Sequence, residues 1–357
     1  MSASASSPFG SGSHAHSEQR LSRTSFVLDC FRISSSILPR VFPTVLFLTL
    51  YASAIAAADL IWHASWTTSY AVTSTLSVVV GLLLVFRNST SYDRWYEGRK
   101  LWQDAQTTAR NWALLVWINV DTQPDKVGAK QRAMRLVGAF MLAVKHELRA
   151  EYGTQWEDLR AVLPKEWLQS QPANGAYDAM AKVSDIERQI SVSEASPLLS
   201  QGSSGMAHDS LGLPLRILAE LHHYLATSRR AGLLDDLGPA GFSLLNTQLL
   251  TLSTLFSSMM RISTTPTPLI YAIHLKQSSL IYLLALPLAL VGELGWKMVP
   301  FTTVVSAMLV GLEGISSEIE DPFGRDKSDH RLDEWCHTLN AEIETIMRSV
   351  KQGVQEE

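Results

Sequence analysis

Cysteine is nearly absent. The chain has only Cys30 and Cys336, too far apart for a CxxC or any metal-ligand spacing. Neither a disulfide framework nor a zinc site is indicated, and two reduced thiols facing the cytosol are expected. Charge is scarce too: Asp, Glu, Lys and Arg make up 18% of residues, and a net charge of −4 gives no case for a nucleic-acid partner. Familiar catalytic signatures are missing, with no GxGxxG, Walker P-loop, HExxH or GxSxG. His222 and His223 are adjacent, so on a helix they point about 100° apart and cannot chelate together. The expectation is therefore no enzyme and no cofactor. The first residues, MSASASSPFGSGSHAHSEQRLSRTS, lack the apolar core of a secretory signal. They read as a disordered tail over 1–25, with a transit peptide as the rival because Arg20, Arg23 and Arg32 outnumber Glu18 and Asp29.

What the chain does have is segregation. From Val41 to Ala58 no residue is charged, and from Leu60 to Phe86 there is again no Asp, Glu, Lys or Arg. Crossing bilayer hydrocarbon takes roughly 20 apolar residues, so both runs are long enough. WHASWTTSY, Trp62 to Tyr70, reads as the turn between them, with aromatic rings suited to the membrane interface. Gln277 to Gly292 and Met298 to Leu312 make a second uncharged pair, separated by ELGWK. The first of these spans only if it begins near Pro268, with His274 and Lys276 facing protein or snorkelling; re-entrant segments are the alternative. Four transmembrane helices are expected, over about 41–60, 69–87, 268–292 and 296–315. Arg32 and Arg40 precede the first hairpin, Arg87, Arg94, Arg99 and Lys100 follow it, and its turn carries none. Both termini are therefore expected on the cytoplasmic side of a multi-pass protein.

The remainder reads as cytosolic helices, about 88–190 and 215–262, within an all-α fold. Met134, Val137, Met141 and Val144 recur with helical spacing. Ser191 to Pro214 is rich in Ser, Gly and Pro and reads as a flexible loop, the weakest part of the pattern. Leu237 to Met260 is uncharged but rich in Ser, Thr, Asn and Gln, and reads as a buried helix of the bundle. Pro266 and Pro268 end it, DPFG is a turn, helical pattern resumes at Leu332, and 351–357 form a tail.

Two patterns near the second span stand out. Val78, Leu82 and Phe86 lie at i, i+4 and i+8, one face of a helix. Helix packing would explain them; so would an apolar constriction, if several copies of the helix surround an axis. Past Phe86 the same helix turns charged with no breaker. Arg94, Glu97 and Lys100 sit at i, i+3 steps that permit local pairing, while Trp95, Arg99 and Trp102 share a face suited to packing or cation–π contact.

FRNSTSYDRWYEGRKLW (Phe86 to Trp102), TPTPLIYAIHLKQ (Thr265 to Gln277) and EIEDPFGRDKSDHRLD (Glu318 to Asp333) resemble, in this order and spacing, landmarks of the bestrophin family. The resemblance covers about 25–350. It implies a homopentamer in the membrane with one central pore, a helical cytosolic vestibule and four spans per subunit. The implied neck falls on Val78, Leu82 and Phe86. The second constriction, the vestibule aperture, falls near Leu233, Leu234 and Leu237, and Arg94, Trp95, Glu97 and Arg99 belong to the motif helix. Animal members bind calcium at an acidic run after the PFG turn. Here Asp326 and Asp329 take the matching positions, but Arg325 and Lys327 replace neighbouring acids, so the run looks more like the microbial and fungal branch. The implied function is conduction of chloride or other small anions. A cation-selective homologue and a non-conducting membrane scaffold or ligand-binding protein are the alternatives.

Overall fold

In the computed structural model, residues 36–63, 66, 69–120, 127–169 and 212–353 are described, with side chains up to 349. Every regular element among them is helical: α1 (Leu38–Leu60), α2 (Tyr70–Asn119), α3 (Val127–Leu148), the short α4 (Glu157–Arg160) and α5 (Lys165–Gln169), α6 (Leu213–Arg230), α7 (Gly238–Thr264), α8 (Leu269–Leu294), α9 (Met298–Glu318) and α10 (Leu332–Gly353). Proline supplies starts where its fixed φ and missing N–H cost nothing, at or next to the first residue of α1, α6 and α7. The expected tail 1–25, Cys30 and most of the expected loop Ser191 to Pro214 lie outside the described residues; α6 already begins at Leu213.

The described chain forms two compact units. Of the described residues, one takes those up to Val85 with Leu275–Ile315, the other those from Phe86 to His274 with those from Ser316 onward. α2 runs unbroken through Phe86, where the units are divided.

Among the described residues three stretches are long and apolar enough to cross a membrane, and the first unit holds most of their apolar length: α1, the first part of α2, and Leu269–Glu318. The last is folded in two by a single 3-10 turn, Gly295–Lys297, where Gly295 adopts φ +53, a backbone that side chains disfavour. Leu275 shares a cluster with Leu309, and Lys276 pairs with Glu313 at 3.4 Å, so α8 and α9 run antiparallel. α1 packs against both. Ala52, Ile55 and Ala56 meet Leu286, Leu290, Val291 and Met298, and Thr49 Oγ1 lies 2.9 Å from Thr303 Oγ1. A side chain at Gly314 would meet Ile37 at 3.0 Å and Val41 at 3.2 Å, so α9 and α1 approach as only glycine allows. The outward faces carry large apolar side chains, among them Phe42, Phe47, Leu50, Ile281 and Met308. Water is a poor neighbour for such a face and hydrocarbon a good one.

The second unit is centred on α3, which packs on α6 and α10 and is buried almost all round. Met134, Val137, Met141 and Val144 lie in its core with Trp102 and Trp112 of α2 and Leu221, Leu225, Leu245 and Leu249 of α6 and α7. α7 differs from its sequence reading. One side, Leu245, Leu249, Leu252, Phe256 and Met259, is buried, while Thr247, Thr251, Thr254 and Ser257 are exposed. Each of those hydroxyls donates to the carbonyl four residues back. Hydroxyls satisfied by their own helix tolerate either environment, which is why composition did not separate buried from exposed.

A charge network closes the end of α3. Lys145, with 4% of its side chain exposed, reaches Asp158 at 2.5 Å and Asp333 at 2.8 Å. Arg149 adds a bond to Asp333 at 2.9 Å, and His146 lies between Glu151 and Asp158. Burial alone would lower the Lys145 pKa, but the two carboxylates outweigh it and raise it. Burial alone would raise Asp158 and Asp333, and their basic partners instead hold both below the usual carboxylate range. Carboxylates of this kind contribute stability above about pH 4 and lose it as pH falls through their folded pKa; the lysine contributes below about pH 10 and loses it above its raised value. Unfolding temperature of the solubilised protein is therefore expected to fall on both the acid and the alkaline side. Lys145→Met should destabilise by about 2 kcal/mol near neutrality, less than a fully buried pair because Asp333 is 65% exposed, and should blunt the alkaline limb. Thermal unfolding across pH measures both.

Candidate functional site

Three motifs distant in sequence meet in the second unit, and arginines of α2 join them. Arg87 is 2% exposed. Its Nη1 donates to Thr267 Oγ1 and its Nη2 to Glu320 Oε2, both at 2.6 Å. The other Glu320 oxygen accepts the Thr267 amide at 2.8 Å and the Thr267 hydroxyl at 2.5 Å. Burial would push the Glu320 carboxyl up, but Thr267 and the Arg87 guanidinium prevail and hold it below its ordinary value.

Two turns further on, Arg94 spends its guanidinium on backbone. Nε donates to Glu320 O at 3.2 Å, Nη1 to Thr265 O at 2.7 Å and Nη2 to Ile262 O at 2.7 Å. These carbonyls lie at the C-terminal ends of α7 and just past α9, where a helix leaves acceptors unpaired and its dipole favours a cation. Trp95 Nε1 donates to Ser328 O at 3.0 Å, and His330 Nε2 lies 2.9 Å from Trp95 O. Gly98 is glycine for a reason of space: a Cβ there would sit 3.0 Å from Pro322 and 3.1 Å from Phe323. Arg99 stacks on Trp335 at 4.0 Å, and burial with Arg99 nearby lowers the His330 pKa, against the bond to Trp95.

The local charge pairs expected along α2 do not form. Glu97 pairs across to Arg261 at 2.8 Å, and Arg94 is committed to carbonyls. Long-range partners won because both groups face neighbouring segments. Trp95 and Arg99 are half-buried and Trp102 is fully buried, as a packing face requires. Sequence reasoning missed Thr267 and Glu320. Their one signal was position: a hydroxyl held between two prolines, and the third acid after the uncharged run Met298 to Leu312.

Val78, Leu82 and Phe86 are 71%, 55% and 57% exposed on α2. Leu233 and Leu234, by contrast, are buried in the core of the second unit within the single chain. They lie in the turn between α6 and α7, and the core beneath that turn takes both; Leu237 is half-buried.

Residues 18–345 match the family described as bacterial/fungal bestrophin protein. The chain belongs to this bestrophin family. A voltage-dependent anion channel-forming protein of a Nostoc species is 34% identical over 272 residues, covering 76% of this chain and 75% of the relative. One of the same description from Synechocystis is 28% identical, covering 89% and 90%. A solved bacterial bestrophin homologue from Klebsiella pneumoniae shares the fold at a TM-score of 0.67 and 24% identity, over 86% of this chain and 98% of that one.

In this bestrophin the acidic run after PFG does not fit calcium. Asp326 is exposed, and Asp329 already accepts the Asp326 amide at 2.7 Å. Arg325 is paired with Glu151. Among the described residues no group of three or more His, Cys, Asp or Glu is placed to hold a metal ion, whereas calcium takes six to eight oxygens. Burial, with Asp326, Asp321 and Glu318 nearby, pushes Asp329 up to about 6 despite the amide bond. A carboxyl raised in the folded state stabilises it as pH falls from about 7 towards 4. Asp329→Asn should therefore add stability near pH 7.5 and flatten the response between those limits, by no more than about 1 kcal/mol given its partial exposure. Arg94→Lys, with one ammonium for three carbonyls, should destabilise by about 3 kcal/mol, read as a lower unfolding temperature of solubilised protein.

Proposed function

We propose that this bestrophin is an integral membrane anion channel, a homopentamer in which Val78, Leu82 and Phe86 of five copies form an apolar neck. The observation that carries the reading is the column of three exposed apolar side chains on one face of an unbroken helix, in a chain of this family. A single chain offers nothing to enclose a pore, and a symmetric ring of copies closes one. Apolar rings of this kind gate by dewetting and need no fixed charge. Arg94, Glu97 and Arg99 are engaged within the chain, which leaves the sign of the permeant ion to other positions. Anions are favoured by the names of the relatives, and chloride is the small anion proposed here. α1, the first part of α2, α8 and α9 make four crossings, with lipid against their outward faces and both termini cytoplasmic.

Purified protein in planar bilayers is expected to pass current whose reversal potential follows the chloride gradient. Reversal that follows sodium would leave a channel but refute the anion claim, and absence of current in active preparations would favour a scaffold. Alanine at Val78, Leu82 and Phe86 together should raise open probability at least about tenfold, as expected when a dewetted ring is removed. Unchanged gating would remove the neck from these residues. Native mass measurement should return five copies.

A further inference from the structure

We infer that Arg87, Thr267 and Glu320 form a latch that holds Phe86 in place and so sets the gating of the neck. This rests on the neck reading above. Phe86 and Arg87 are consecutive yet opposite in environment, one 57% and the other 2% exposed. The helix therefore presents Phe86 outward from the chain and is fastened about 100° further round at the next residue. The fastening has no slack. Both Glu320 oxygens are taken, Oε2 by Arg87 and Oε1 by the Thr267 amide and hydroxyl. Thr267 sits between Pro266 and Pro268, immediately before α8, and Glu320 follows the last turn of α9. One carboxylate thus ties the start of the α8–α9 hairpin to its end, and both to α2 beside Phe86.

The chemistry makes the latch cooperative. A buried guanidinium and carboxylate that lose one partner leave the other charge uncompensated, so intermediate, half-open latches are disfavoured. Thr267 adds direction, since its proline neighbours restrict the backbone and its hydroxyl touches both charged groups. Arg94, two turns further along α2, bonds to carbonyls of the same two segments and keeps the attachment of α2 when the latch is broken.

The test compares Arg87→Gln, Glu320→Gln and the double variant with native protein in planar bilayers. Each single variant leaves one buried charge alone; the double leaves none. A latch predicts that each single variant raises open probability about tenfold with unitary conductance and reversal potential unchanged, and that the double changes it less than the two combined. Open probabilities within twofold of native in all three would overturn the proposal. Hydrogen exchange of amides 84–91 in the solubilised protein provides the second readout. It should quicken at least about tenfold in Glu320→Gln, while amides 134–144 in the core of α3 keep native rates. Equal quickening in both segments means general destabilisation and refutes a local latch; no quickening in either refutes the anchor. If native protein passes no current, the channel reading falls and the gating claim falls with it, and exchange then decides the anchor alone.

Discussion

The second unit depends on one kind of contact: guanidinium groups of α2 satisfying acceptors at the ends of other elements. A helix that stops inside a folded unit leaves carbonyls without partners, and each costs free energy if left dry. Arg94 gathers two from the end of α7 and one beyond α9, a task suited to a planar group with five donors in a fixed fork. Arg87 does the same for a carboxylate. These contacts satisfy the carbonyls where α7 and α9 end, and the turn that follows α9 packs against Gly98 and Trp95.

This explains why an apolar helix runs directly into a charged aromatic one. Several charges of α2 past Phe86 are structural, while Asp93, Lys100 and Asp104 are exposed. Arg87 is buried, Arg94 is bonded to backbone, Arg99 lies on an indole and Glu97 holds Arg261. This stretch of α2 is thus the set of residues that ties the end of α7 and the segment after α9 together.

How much of this was legible in the sequence depended on the range of the interaction. Helices and their ends are local, so uncharged runs, prolines and the stripe of α3 foretold α1, α8, α9 and the buried face of Met134 and Met141. The face of Val78, Leu82 and Phe86 followed from periodicity, although spacing alone did not say what covers it. Pairings across more than a hundred residues were not legible. Glu97 looked suited to its own helix and found Arg261 instead, and nothing in TPTP announced a partner for Arg87. Leu233 and Leu234 are apolar residues of a turn, which composition leaves equally suited to a core or a rim; within the single chain they pack in the core.

The exposed side of α7 has a further meaning. Because Thr247, Thr251, Thr254 and Ser257 aim their protons at their own helix, they present oxygen lone pairs and threonine methyls outward, beside the exposed Leu244 and Leu250. From Gly238 to Met260 no ionised group interrupts this surface. Whatever meets this side, solvent or another surface, meets hydroxyls already paired within the helix, so the face can be wetted or covered at little cost in hydrogen bonds.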